Sequence, residues 1–150
     1  MIRALALAAT ALALPALGAC QQEQGLRVEN GWVRLPAVAG RPGAAYFTLH
    51  GGAQPVRLLS VTSPVVIRTE MHDTMKGMQG MMQMRPMAGV DVPARSTVKF
   101  EPGGKHVMLF NVNPGIKPGR AMEFTLTFAD GTQLTPSFTA RPANATGPAE

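Results

Sequence analysis

The chain has 150 residues, with 14 Lys and Arg against nine Asp and Glu, a formal net charge of +5. The basic residues are scattered, with no patch and no aromatic interleaving, which argues against a nucleic-acid interface. A single cysteine excludes an intrachain disulfide.

Residues 1–19 have the pattern of a secretory signal. Arg3 is the only charge before a run of Ala and Leu that ends in small residues. The run falls short of the roughly 20 apolar residues that a comfortable membrane-spanning helix needs. Its end, Leu17-Gly18-Ala19-Cys20, resembles the bacterial lipobox. That resemblance implies a lipid-modified Cys20 as the first mature residue, a membrane anchor and an extracytoplasmic, periplasmic location. Gln21, where inner-membrane retention uses Asp, points to the outer membrane in a cell with two. An ordinary cleaved signal with an incidental cysteine is the alternative. Residues 20–25 are polar and read as a tether. Residues 26–140 then form one domain, large enough to bury a core.

In that domain, short apolar runs alternate with Gly, Pro and Asn. "LRVENGWVRLP" reads as a first strand, "GAAYFTLH" as a second, "PVRLLSVTS" as a third and "VVIRTEMH" as a fourth. "GMMQMRP" is a fifth, with Met82 and Met84 on one face and Met81 and Gln83 on the other, because strand side chains alternate. "STVKF" and "KHVMLFNV" follow. "MEFTLTF" alternates Phe124, Leu126 and Phe128 against Thr125 and Thr127. Asp130-Gly131 is a tight-hairpin signal. "QLTPSFTAR" returns, with Pro136 marking an edge strand or a bulge. Short strands at this spacing, without a long helical period, predict an all-β, antiparallel Greek-key sandwich or barrel. Residues 141–150 lack apolar content and read as a disordered tail.

Seven of the ten methionines fall between Met71 and Met87. Three histidines exist, His50, His72 and His106. His106 and Met108 are two apart on one strand, so imidazole and thioether face the same side. The wider pattern is His72-x11-Met84-x21-His106-x-Met108. With the segments "GWVRLP", "GAAYFTL", "MQMRPM", "VPARSTVKFEPGGKHVMLF" and "FTLTFADGT", it resembles the periplasmic copper chaperones of the PCu(A)C type. Their signature is His-x10-Met-x21-His-x-Met. The resemblance spans roughly residues 26–140. It implies a cupredoxin-like sandwich and one Cu(I) held by His72, Met84, His106 and Met108. It further implies a copper-acceptor partner, such as the CuA centre of cytochrome c oxidase or another copper chaperone.

The chemistry of the residues is compatible. Thioethers are soft and neutral and favour Cu(I), and imidazole suits copper among several metals. Two of each leave one net charge around a monovalent ion. Zinc prefers thiolate, imidazole or carboxylate, and only Glu70 and Asp73 lie beside this pattern. Proton binding to either imidazole competes with metal.

The first gap is one residue longer than the family's. A longer hairpin tip in "TMKGMQG" keeps Met84 as the ligand, whereas a register slip would turn it away. Met82, on the same face, is the reserve candidate. Met75 and Met78 should be exposed near the tip, as candidate residues for capturing or passing on copper. Met122, Trp32, Tyr46 and Phe47 read as core, and His50 as a turn histidine. No nucleophile–base pair or paired-carboxylate site is present, so an enzyme is not expected. Two other readings remain open: a copper buffer or resistance protein without a dedicated acceptor, and a structural β-sandwich lipoprotein without metal.

Overall fold

The structure is a computed structural model that describes residues 25–77 and 80–148. The signal segment, Cys20, most of the tether, Met78 and the last two residues lie outside the described residues. Twelve strands carry the regular structure: β1 (Arg27–Arg34), β2 (Gly43–His50), β3 (Val56–Thr62), β4 (Val66–Lys76), β5 (Met82–Pro86), β6 (Val90–Val92), β7 (Thr97–Phe100), β8 (Lys105–Val112), β9 (Ala121–Glu123), β10 (Thr125–Phe128), β11 (Gln133–Leu134) and β12 (Ser137–Arg141). They form two sheets, ordered β5-β4-β8-β7-β2-β1-β12-β9 and β11-β10-β3-β6, with β8 also reaching β2.

The expected β-sandwich is present. Alternate residues of the large sheet, among them Ala45, Phe47, Met71, Val107 and Leu109, are buried against Leu58, Val61, Leu126 and Phe128 of the small one. Aromatic packing fixes the centre: the Phe138 ring lies 4.6 Å from Phe124 and 5.4 Å from Phe47. Two pairings are parallel rather than antiparallel, β1 with β12 and a short contact of β7 with β8. The chain leaves the large sheet after β9 and returns only at β12, so the last strand slots beside the first in the same direction.

"MEFTLTF" is two strands in different sheets, split at the fully buried Phe124. Pro136 sits at the return crossing, between β11 and β12. Its carbonyl accepts the Phe124 amide at 3.0 Å, which ties the two crossings together. The ring needs no donor of its own there, and proline cannot continue a ladder. Strand β6 was not visible in sequence, because Val90-Asp91-Val92 alternates but three residues between Gly89 and Pro93 are too few to mark a strand.

β4 runs four residues past His72. Beyond Asp73, which pairs with Lys105, it leaves β8 and continues with β5 alone. The result is a two-stranded ribbon closed by Gly77, whose amide donates to Met81 O at 2.7 Å. Gly80 takes a positive φ of 78° in that turn. Pairing along the ribbon is regular from His72↔Pro86 to Lys76↔Met82.

β1 carries a bulge between Glu29 and Trp32, with Asn30 in the left-handed region at φ 55°. A Cβ on Gly31 would lie 2.0 Å from the Phe138 ring. That ring is wedged between Phe47 and Phe124 and has little room to move. Gly31→Ala should therefore destabilise by about 1–3 kcal/mol through overpacking. A urea titration reads this as a lower midpoint at unchanged slope; an unaltered midpoint would mean that the Phe138 ring yields.

Candidate metal centre

The neighbours of His72, His106 and Met108 in sequence, Met71, Val107 and Leu109, point into the core. Strand alternation therefore turns His72, His106 and Met108 to the outer face of the large sheet. Register completes the grouping. In the β4–β8 pair His72 lies opposite His106 and Glu70 opposite Met108. In the ribbon Thr74 lies opposite Met84 and Lys76 opposite Met82. The three rows place Met108, the two histidines and Met84 in diagonal succession on one face.

The imidazole rings are 5.9 Å apart between centres. With metal–nitrogen bonds of about 2 Å, two imidazoles on one ion hold their ring centres roughly 5–6 Å apart. Burial is graded across the group. His106 is 7 % exposed, whereas Met84 on the ribbon is 53 % exposed. Arg34, Tyr46, Thr74, Met84, His106 and Met108 line one open cleft of about 450 Å³. His72 and Met82 do not line it; His72 packs behind, against the His106 ring. Met82 shares the face but sits two residues further toward the ribbon tip. The ribbon pairs without a break from His72↔Pro86 to Lys76↔Met82, which sets Met84 opposite Thr74 on the histidine face. Met75 is exposed as expected but pairs with Gln83, on the ribbon face opposite to Met84.

His72 and His106 each keep one ring nitrogen without a hydrogen-bond partner. His106 Nδ1 lies 2.9 Å from Gly104 O, and a carbonyl only accepts, so Nδ1 carries the proton and Nε2 the lone pair. Gly104 O also accepts the Thr74 amide at 3.2 Å. His72 Nε2 lies 3.1 Å from Glu70 Oε2, so it donates to the carboxylate. His72 Nδ1 is buried with no partner. A buried polar atom without a partner is unusual and calls for an explanation such as an ion. Glu70 is held in turn by Arg68, whose guanidinium lies 4.0 Å above the Phe110 ring. Asp73 is engaged by Lys105 at 3.1 Å. Among the described residues no three His, Cys, Asp or Glu side chains come together in a metal-holding group.

Two buried aromatics belong to this face rather than to the inter-sheet core. Tyr46 lies between Ala45 and Phe47, which point inward, so its own ring points out. Trp32 stacks on Tyr46 at 4.6 Å, and Tyr46 lies 6.5 Å from His106. Arg34 donates to the Tyr46 hydroxyl and lies over its ring at 5.2 Å. Trp32 and Tyr46 are buried as the sequence led one to expect, but on the outer face of the large sheet, whereas Phe47 lies in the inter-sheet cluster. The signal that could separate them, the pairing of β2 with β8, is non-local. Residues 142–148 also reach this face: Ala143 borders the histidine cleft, and residues 146–148 border a neighbouring cleft with Trp32. His50 sits at the far end of β2, between Glu29 and Thr97, with no part in the group.

Burial raises the Tyr46 hydroxyl above the usual phenol range, and the Arg34 cation offsets part of the rise. Tyr46 is the only tyrosine, so alkaline difference absorbance reports it alone. Its ionisation midpoint should lie above that of the urea-unfolded chain. The folded state then keeps its proton longer, and stability should fall as pH rises through the unfolded phenol value near about 10. Equal midpoints in the two states would show that Tyr46 is solvated.

Residues 26–140 match the family described as LpqE-like lipoproteins. Lxx21020 of Leifsonia xyli subsp. xyli, which carries a lipoprotein name, is 28 % identical over 112 residues, covering 75 % of this chain and 67 % of that protein. The apo PCuAC domain of PmoF2 superposes with a TM-score of 0.68 at 22 % identity, over 83 % of this chain and 95 % of the domain. The solution structure of CuI-DR1885 from Deinococcus radiodurans superposes with a TM-score of 0.57 at 30 % identity, over 82 % and 83 % of the two chains. The chain belongs to the LpqE-like lipoprotein family and is built on the PCuAC β-sandwich.

Proposed function

We propose that this protein is an extracytoplasmic copper chaperone that holds one Cu(I) with His72, Met84, His106 and Met108. The observation that carries this reading is the cross-strand histidine pair with its two unpartnered ring nitrogens, flanked diagonally by two thioethers on the same face. Two related domains support it: DR1885 has been solved as the CuI form, and PmoF2 as a copper-bound PCuAC domain. Two imidazoles and two thioethers form a neutral, soft donor set, matched to a monovalent ion.

The gradient of exposure suits transfer. His106 is buried and His72 half-buried, and Met84 stands on the ribbon where an incoming donor can displace it. Met84 is preferred over Met82 because it borders the cleft with His106 and Met108. The reading assigns binding and hand-over of a metal, not catalysis. A lipid on Cys20 would hold the domain at a membrane surface in the periplasm, and the CuA centre of cytochrome c oxidase is the acceptor we favour. Met75, exposed on the ribbon, and Met78 would serve capture.

Anaerobic Cu(I) titration against a competing chelator should give one tight equivalent per chain. His106→Ala combined with Met108→Ala should abolish it; full binding by that variant would overturn the site. Met84→Ala should weaken binding roughly 100-fold or more, since even residues behind a ligand cost about 10–100-fold. Met82→Ala should change it little, and the reverse order would reassign the ligand. Affinity should also fall at acid pH, as protons compete for the imidazoles.

For delivery, the loaded protein is mixed with a soluble CuA-domain fragment. The chaperone reading expects exchange faster than spontaneous release of copper. A rate equal to spontaneous release would instead identify a buffer.

A further inference from the structure

Resting on the copper reading above, we propose that Glu70 is a positioning residue that makes the two histidines bind through different nitrogens, His72 through Nδ1 and His106 through Nε2. The two rings look alike in sequence, but their partners are opposite. His106 donates from Nδ1 to Gly104 O at 2.9 Å, which leaves Nε2 free. His72 donates from Nε2 to Glu70 Oε2 at 3.1 Å, which leaves Nδ1 buried and unpartnered. A ligating histidine commonly gives its second ring N–H to a carbonyl or carboxylate, which fixes the tautomer and the ring orientation. Here one site would use both kinds of anchor.

Glu70 is itself held from behind. Strand alternation puts Arg68, Glu70 and His72 on one face of β4. Arg68 donates to Glu70 Oε1, the oxygen that His72 does not use. The Arg68 guanidinium rests on Phe110, its cross-strand partner on β8. The line Phe110–Arg68–Glu70–His72 therefore runs along the β4–β8 pair and ends at the metal face. Each carboxylate oxygen has one donor, so Glu70 has no freedom to turn away without losing both.

The same carboxylate lies opposite Met108 in register. Its contacts with Arg68 and His72 keep both oxygens engaged beside that thioether. Glu70 thus acts through His72 and is spared as a donor to a harder ion.

Copper(I) is diamagnetic, so histidine nitrogen NMR reads the arrangement directly. In the apo protein, long-range ¹H–¹⁵N spectra should show His72 protonated on Nε2 and His106 on Nδ1. On loading with one equivalent of Cu(I), the large nitrogen shifts should fall on His72 Nδ1 and His106 Nε2. Glu70→Ala should scramble the His72 pattern and lower Cu(I) affinity about 10–100-fold. Glu70→Gln keeps an acceptor oxygen and should restore most of that loss, with the amide spectrum of both variants confirming a native fold.

A Cu(I) shift on His72 Nε2, or affinity in Glu70→Ala equal to the parent, would overturn the inference. Failure of the parent itself to bind Cu(I) would instead sink the copper reading, so the two outcomes are separable.

Discussion

The register of β4 against β8 is the constraint on which the site depends. Side chains on a strand alternate, so a slip by one residue would send His72 into the core and bring Met71 out. The register is enforced from the other face. Met71, Val107 and Leu109 fill the inter-sheet space, and a slip by one residue could not bury them together. The hydrophobic core thus fixes a polar site that it never touches. His72 faces His106 because their inward-facing neighbours pack against the small sheet.

Outward from that pair, the environment changes in a few ångströms. One flank is closed by Tyr46, Trp32 and Arg34, all buried or half-buried in a middle strand region. The other opens onto the ribbon of β4 and β5, where every β5 residue is exposed. Rigid and mobile demands are therefore separated in space. Orientation of the rings comes from the Gly104 carbonyl and the Glu70 carboxylate. Access comes from the part of the sheet that has no layer beneath it.

Much of this was legible in the sequence. His106 and Met108 share a face because strand alternation is a local rule. Most strand positions followed from apolar runs between Gly, Pro and Asn. The turn of the ribbon was legible too, since Gly77 and Gly80 flank it.

What escaped was non-local. Tyr46 and Phe47 are adjacent and both aromatic, and nothing local says that one faces a core and the other a cleft. Glu70 was visible only as a nearby acid, because its bond to His72 needs the strand to be built first. The break at Phe124 was hidden for a different reason. The inward pattern Phe124, Leu126, Phe128 continues unbroken while the strand changes sheets, so periodicity carries no mark of the crossing.

The regular pairing of the ribbon up to its turn has a consequence for how such a domain can diversify. Residues added at the tip lengthen the arm without disturbing the rows beneath it. The length of the arm and the register of the histidine row are thereby governed by separate stretches of chain. The arm can lengthen or shorten at its turn while the pairing of His72 with His106 stays as it is.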